Sequence, residues 1–486
     1  MIRTRFAPSP TGEIHIGGLR TFLYSFAFAK ANQGKIVLRL EDTDRARYVG
    51  GASERLIQTA RLFGLSWDEG PDIGGEFGPY VQSERLDIYK KYADELVKNG
   101  HAYHCFCTPE RLSNLREEQQ KNKLPPKYDG YCKTLSKQQI QENLKNNVPY
   151  VIRLNVPQNK EIIFRDEVLG EIKINSSDID DQVLIKSDGF PTYHLAVVID
   201  DHLMQISHII RGNDWLPSTP KHILLYQAFG WEIPKYVHLP NLKEKGASSK
   251  LSKRRGAFYA YQFLEEGYLP EAVMNFIMLL GWNPGTTQEI FSLDEFCKTF
   301  SIERIQTSDL VVFDREKLLW MNGYYIRSYS LEVIFQKYCD WNNAFNKNSK
   351  LCLASKDVAL KVLGLVYERA KTFVEINDLT SYFFEFPTNY SKEELVSNTS
   401  DSNRCIDILN SLIDSLENQT DLNPSVIEEN LRKVVQIKSF TPKETFMVLR
   451  YALTARPHTP PVFDIISVLG FDESIKRIKY TLELAK

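Results

Sequence analysis

Two short stretches carry the residue types that nucleotidyl transfer needs. The first, Pro8-Ser9-Pro10-Thr11-Gly12-Glu13-Ile14-His15-Ile16-Gly17-Gly18, offers an imidazole and two adjacent glycines near the N-terminus. The second, Lys250-Leu251-Ser252-Lys253-Arg254, gathers three cations and a hydroxyl far downstream. In such reactions negative charge builds on phosphoryl oxygens, and donors and cations already placed there lower the barrier. Lys250 and Lys253 could follow a departing pyrophosphate on long side chains, and Ser252 could hydrogen-bond it. Gly17 and Gly18 lack Cβ atoms and would admit a flat base or sugar close to the backbone. Taken alone, His-x-Gly-Gly is usually an ordinary turn, and a Lys/Arg cluster usually a solvated loop. It is their occurrence together, the first behind an N-terminal strand, that argues for one site.

The elements that must position these groups follow from periodicity. Residues 3–7 alternate as a strand does, and Pro8 and Pro10 end it. From Gly17 the apolar residues recur at helical spacing, with Gly34 just beyond the end. His15 therefore stands on a strand-to-helix turn, where free backbone N–H groups favour an anion. A second strand is expected over 36–40, ending at Glu41, with helices over 53–63 and 83–99. This alternation predicts an α/β Rossmann-type domain with a parallel sheet, whose active groups gather at the carboxyl ends of strands. His15 and Glu41 both fall there. Over 106–186 the pattern changes to a polar helix, Pro125-Pro126 and short β runs such as 150–154, which reads as an α+β insertion. The α/β pattern then resumes, with a strand end at 208–212 and a helix over 221–229. Amphipathic helices follow near 270–280 and 293–300. From 326 to 486 helical patterns dominate, including 358–374, 406–416 and 443–455.

With 486 residues, 43% hydrophobic and 12% aromatic, the chain can build several cores and is unlike a disordered polymer. No apolar run reaches the roughly 18 residues of a membrane-spanning helix. The start, Met1-Ile2-Arg3-Thr4-Arg5-Phe6, has no signal-peptide pattern. Seven cysteines, an odd number, argue against a disulfide framework and for a reducing cytoplasm. Sixty basic against 62 acidic residues leave a net charge of −2, so nucleic acid would have to be met by local patches. Segments 243–255 and 432–443 are the candidates, each also readable as ordinary solvated surface.

The two motifs resemble the HIGH and KMSKS signatures of class I aminoacyl-tRNA synthetases, although Gly18 stands in place of the second histidine of the first. Nearly the whole chain, most strongly 1–330, resembles a bacterial-type glutamyl-tRNA synthetase. The resemblance is carried by Arg3-Thr4-Arg5-Phe6-Ala7-Pro8-Ser9-Pro10-Thr11-Gly12, Leu38-Arg39-Leu40-Glu41-Asp42-Thr43-Asp44, Tyr80-Val81-Gln82-Ser83-Glu84-Arg85, Lys186-Ser187-Asp188-Gly189-Phe190-Pro191-Thr192-Tyr193-His194-Leu195-Ala196 and Trp320-Met321-Asn322-Gly323. It implies a catalytic domain in two halves, 1–105 and 187–245, separated by an acceptor-end-binding insertion at 106–186. A KMSKS-type loop with stem-contact helices would occupy 246–325, and a mostly α-helical anticodon-binding region 326–486.

The resemblance also implies the chemistry. The α-carboxylate of glutamate would attack the α-phosphorus of ATP, with His15, Lys250 and Lys253 stabilising the transition state. The 2′-hydroxyl of the terminal tRNA adenosine would then attack the adenylate, and bound tRNA would be needed for activation itself. Arg5 and Arg211 would hold the carboxylates of glutamate through paired hydrogen bonds, and Glu41 its ammonium. Tyr193 and Ser9 would add hydrogen bonds, and Ala7 would line the wall. On the residues alone, Arg5 as a surface arginine and Glu41 as a turn cap stay open. ATP would meet His15, Gly17, Asp214, Leu242 and Lys253, with Mg2+ held mainly by phosphates and water. The partners are tRNA-Glu and L-glutamate, with a monomer expected and no membrane. Cys105, Cys107 and Cys132 resemble the Cys-x-Cys…Cys of zinc-binding members. Where those members supply a fourth ligand this chain has Thr134, and His104 or Tyr128 are the substitutes. Val197 stands where many members have asparagine, which removes a polar group that could bear on glutamate recognition.

Other readings compete. The enzyme could also charge tRNA-Gln. A non-catalytic tRNA-binding paralogue would have no reason to keep His15, Lys250 and Lys253 together. A small-molecule nucleotidyltransferase or a tRNA-Asp-modifying paralogue would lack the long helical C-terminal region.

Overall fold

The computed structural model describes all residues except 45, 46, 48, 249 and 252–257. Ser252, Lys253 and Arg254 of the second motif thus lie outside the described residues. The chain forms two compact units, one of 1–263 with 273–315, the other of 264–272 with 316–486.

In the first unit, strand β1 (Arg3–Phe6) and strand β2 (Lys35–Leu38) pair in parallel, Arg3 opposite Lys35 and Phe6 opposite Leu38. Parallel neighbours need a crossover, and helix α1 (Ile16–Ala31) supplies it. Its buried Leu19, Phe22, Leu23 and Phe26 recur at helical spacing. Helices α2 (Ala52–Leu62) and α3 (Leu86–Lys98) come next. The chain continues through β3 (Ala102–Cys105), α4 (Pro109–Lys121), α5 (Lys137–Lys145), β4 (Val151–Leu154), β5 (Glu161–Asp166), β6 (Gly170–Asn175) and β7 (Val183–Ile185). Next come α6 (Tyr193–Leu203), β8 (His208–Gly212), α7 (Thr219–Phe229), β9 (Lys235–Leu239), β10 (Asn241–Glu244) and, further on, β11 (Leu310–Phe313).

Strands β3 to β7 feed two sheets. β3, β4 and β7 form an antiparallel sheet in that order. The hairpin β5–β6 instead continues the parallel β8–β9 pair, giving the order β6-β5-β9-β8. The alternating burial of β5 ends on buried Asp166, which the hairpin thereby delivers beside β9.

The second unit is helical. In Ser402–Glu417 the buried Cys405, Ile408, Leu409, Leu412 and Leu416 form one stripe, and Asp401 caps the first turn. Residues 264–272 join this unit through specific bonds. Leu269 N donates to Asn322 Oδ1 at 2.8 Å, and Trp341 Nε1 donates to the Leu264 carbonyl at 2.7 Å. Gly267 has φ +83°, and a Cβ there would sit 2.8 Å from Phe373 N, so only glycine fits.

Two expectations change. The single helix expected over 358–374 is two, Lys356–Val366 and Phe373–Phe384. Thr372 caps the second, and the Lys371 carbonyl turns to accept from Asn322 Nδ2. The odd cysteine count argues against a disulfide framework, and one bridge forms nonetheless, between Cys339 and Cys352, with Cα atoms 5.6 Å apart. An odd count leaves free thiols but does not stop a helix and the turn packed on it from pairing two. Among the described residues no helix is long and apolar enough to cross a membrane.

Candidate active site

A cavity of about 1080 Å³ opens where β1, β2 and β8 end. Its lining includes Arg5, Ala7, Ser9, His15, Glu41, Tyr193, Arg211, Asp214 and Lys250. A side lobe of about 240 Å³ is lined by His15, Gly17, Gly18, Asp214, Leu242 and Lys250 among others. Residues expected to hold glutamate thus line the main cavity, and those expected to hold ATP line the lobe. Lys253 is outside the described residues.

His15 caps α1 with extended backbone, and its Nδ1 accepts from Gly17 N at 3.2 Å. A ring that accepts at Nδ1 carries its proton on Nε2. The turn is braced by the chain just beyond the second motif: Ile16 N donates to the Phe258 carbonyl and Ala260 N to the Ile14 carbonyl, both at 2.8 Å. On the near side of that motif, Leu251 N donates to the Leu242 carbonyl. Lys250 Nζ donates to Asp214 Oδ2 at 2.9 Å, both side chains about half exposed. Cβ atoms at Gly17 or Gly18 would meet protein only at ordinary distances of 3.5 and 3.7 Å. Protein packing therefore does not demand these glycines; the space they free opens on the lobe.

The main cavity has a charged floor. Arg5 is buried, which rules out a surface role, and its Nε donates to Asp201 Oδ1 at 3.2 Å. Arg39, fully buried, donates to Asp201 Oδ1 at 2.8 Å and to Glu41 Oε1 at 3.0 Å. Glu41 caps no turn, since its hydrogen bond is to Arg39. Its backbone N donates to the Pro8 carbonyl, which holds it at the cavity. Burial pushes the Glu41 carboxyl up to about 7, against the pull of Arg39 and Arg5. Arg39 and Asp201 are residues that sequence reasoning missed. The signal existed: two-residue spacing on a strand puts Arg39 and Glu41 on one face.

Arg211 forms a wall. Its Nε donates to His238 Nε2 at 3.0 Å and its Nη2 to Thr219 Oγ1 at 2.7 Å and the Trp215 carbonyl at 3.3 Å. Its Nη1 lies 3.3 Å from both the Tyr193 hydroxyl and His222 Nδ1. Behind these rings, Asp166 Oδ2 is 2.7 Å from His238 Nδ1, and His194 Nδ1 is 3.1 Å from His222 Nε2. None of these histidines stands out in the sequence. Val197 is buried in the core on α6 and is not among the residues lining the cavity.

A second cluster lies in the insertion. The sulfurs of Cys105, Cys107 and Cys132 all fall within 4.8 Å of one another. The Tyr128 hydroxyl is 3.4 Å from Cys105 Sγ and 3.3 Å from Cys107 Sγ. Thr134 is exposed and donates to the Tyr131 carbonyl, and His104 packs against Phe106 and Tyr150. The hydrogen bond shared with Cys132 lowers the Cys105 thiol toward its thiolate. Among the surface patches, Arg432 and Lys433 are each paired one turn back, with Glu428 and Glu429.

Comparisons with known proteins point to one family. Residues 1–320 match the family model for the catalytic domain of class I tRNA synthetases (E and Q), and 336–482 match an anticodon binding domain. The chain is 43% identical to the glutamate–tRNA ligase of Clostridium tetani (strain Massachusetts / E88), covering 100% of this chain and 98% of that one. It is 44% identical to that of Clostridium novyi (strain NT), with the same coverage. A glutamate tRNA ligase from Elizabethkingia meningosepticum, solved in complex with its amino acid, superposes with a TM-score of 0.87 at 34% identity, over 100% of both chains.

Proposed function

The chain belongs to the class I tRNA synthetases for glutamate and glutamine, and from that premise we propose that it joins L-glutamate to tRNA-Glu at the expense of ATP. One observation carries the residue-level reading. Arg5, Glu41 and Arg211 line a cavity that shares His15, Asp214 and Lys250 with a smaller glycine-edged lobe. A dicarboxylic amino acid and a nucleotide would meet there with the reacting atoms near His15.

Arg5 and Arg211 receive the carboxylates, and ionised Glu41 receives the ammonium. Tyr193 and Ser9 add hydrogen bonds, and Ala7 lines the wall. In the lobe, Leu242 offers backbone groups to the base and Asp214 accepts from the ribose. Gly17 lets the nucleotide approach α1. An oxygen of the α-carboxylate attacks the α-phosphorus, the bond to the bridging oxygen breaks, and pyrophosphate leaves. His15 Nε2–H, Lys250 and Lys253 stabilise the charge that builds on the phosphoryl oxygens. Mg2+ would accompany the nucleotide, held mainly by phosphates and water, and would help neutralise the phosphate charge. The tRNA 2′-hydroxyl then attacks the adenylate carbonyl, the bond from that carbon to the phosphate oxygen breaks, and AMP leaves, its phosphate taking up the hydroxyl proton. The insertion grips the acceptor end and the helical region reads the anticodon. The protein acts as a cytoplasmic monomer.

Three thiols and a phenol in mutual contact suit zinc. Cys105, Cys107, Cys132 and Tyr128 would hold it, with Tyr128 as the fourth ligand, and the ion would fix the fold of the insertion without entering the reaction. Metal analysis of purified protein should give one zinc per chain, lost in Cys107→Ser.

The decisive assay is ATP–pyrophosphate exchange with glutamate, with and without tRNA-Glu, and with glutamine and tRNA-Gln as controls. Exchange that needs glutamate and tRNA supports the reading, and charging of tRNA-Gln with glutamate would widen it. No exchange under any combination, with tRNA still bound, would sink it in favour of a binding protein.

A further inference from the structure

The two arginines expected to meet substrate are held differently. Arg5 shares Asp201 with Arg39, so a buried carboxylate already answers much of its charge. The groups that hold Arg211 are all neutral: two imidazole nitrogens, two hydroxyls, one carbonyl, and the face of Tyr236 at 5.2 Å.

Hydrogen-bond direction settles the protonation of the two rings. Arginine only donates, so His238 Nε2 and His222 Nδ1 both accept and carry no proton. The His238 proton sits on Nδ1, where Asp166 accepts it. His222 donates from Nε2 to His194 Nδ1. Burial keeps all three rings uncharged, with His194 pushed down to about 4 and His222 and His238 also lowered. The carboxylate behind His238, Asp166, is kept one imidazole away from Arg211. Its remaining acceptors are occupied by the backbone N–H groups of Val168 and Leu169.

We propose that His222 and His238 are positioning residues that set substrate specificity, holding Arg211 through neutral nitrogens so that its charge is left for a carboxylate of the amino acid. Glutamate is thereby preferred over its amide, because glutamine would leave a desolvated guanidinium without a counter-charge. This inference rests on the proposed function, in which Arg211 contacts that carboxylate.

The test compares two substitutions of nearly equal shape, His222→Asn and His222→Asp. Both leave the same gap and place an oxygen near the Nδ1 position, but only the second adds a charge. Arg211, Arg5 and Lys221 all act on this position and would keep the aspartate ionised. Pyrophosphate exchange is read with glutamate and with glutamine at saturating tRNA, alongside the KM for ATP and the thermal midpoint. His222→Asn should keep the KM for glutamate within about threefold of the parent, and His222→Asp should raise it by about tenfold or more. The same factor should be lost from the glutamate-to-glutamine ratio of kcat/KM, with the KM for ATP unchanged in both. Equal behaviour of the two variants overturns the proposal.

If His222→Asp does not fold, His238→Gln and His238→Met decide. Glutamine brings a carbonyl to the Nε2 position and should retain the KM for glutamate, whereas methionine should raise it. Equal values for that pair are equally fatal. Arg211→Ala separates the levels. An unchanged KM for glutamate there would fail the pocket reading itself. A raised one with indistinguishable histidine variants would fail only this inference.

Discussion

The floor of the main cavity and the nucleotide lobe beside it solve opposite problems with the same kinds of side chain. In the floor, Arg39 is fully buried and Asp201 is 1% exposed; Arg39 has three partners of opposite charge and Asp201 two. In the lobe, Lys250 and Asp214 form an ion pair whose side chains are 51% and 45% exposed. A buried network is costly to break and keeps its geometry, which suits the selection of one amino acid. An exposed pair contributes little and exchanges readily for phosphate or ribose. On the proposed assignment the contrast places recognition and reaction on different footings: fixed charge for the amino acid, exchangeable charge for the nucleotide.

Breaking the floor should give the largest effect. Arg39→Met leaves Glu41, Asp200 and Asp201 facing one another without their shared cation. Removing one partner of a buried pair typically costs about 3–5 kcal/mol, so the variant should unfold at much lower denaturant. Chemical denaturation checks this, and an unchanged midpoint would mean the network is not a structural unit. Lys253→Ala should come next, with adenylate formation down by about 10²–10³-fold, as for other lost transition-state donors. Binding of tRNA, followed by filter retention, should stay near the parent value; equal loss of both would withdraw the assignment.

A milder test sharpens the comparison through pH. In the proposed pocket the ammonium of the substrate would need ionised Glu41, and burial pushes that carboxyl up to about 7, above its usual range. The folded protein without glutamate thus binds the Glu41 proton more tightly than a free side chain would, and glutamate must displace it. The KM for glutamate should fall as pH rises through about 7, by about tenfold between pH 6 and 8, while that for ATP follows no such step. Glu41→Gln should weaken binding and flatten the profile. A wild-type profile already flat would place the ammonium elsewhere.

Legibility in the sequence depends on range. β1, α1 and the return through β2 follow from local periodicity, so His15, Arg5 and Glu41 can be set at strand ends from the sequence alone. Arg39 is within reach of the same two-residue rule. His222 and His238 are not, because each is a lone histidine whose meaning comes from α7 and β9 meeting Arg211 at the end of β8. Asp166 is further still, since nothing local says that β5 leaves the inserted sheet to pair with β9. Tyr128 is nameable as a zinc ligand but not placeable, because the turn that brings its hydroxyl to Cys107 is a matter of packing.

The smallest effect belongs to the exposed pair, and it separates the two regions most cleanly. Asp214→Asn removes the charge that Lys250 faces at 2.9 Å. Surface pairs of this kind are worth about 0–1 kcal/mol, so the thermal midpoint should barely move. The KM for glutamate should not move either, since Asp214 touches none of Arg5, Arg39, Glu41 or Arg211 by hydrogen bond. The KM for ATP should rise several-fold, because an amide is a weaker acceptor than a carboxylate for ribose hydroxyls. Lys250→Met gives the complementary reading. If Asp214 serves only to restrain the lysine, then Asp214→Asn would instead leave the KM for ATP unchanged or lower it, by freeing Lys250 for phosphate. A rise in the KM for ATP in both single variants, with no further rise in the double, would mean that the pair acts on the nucleotide as one unit.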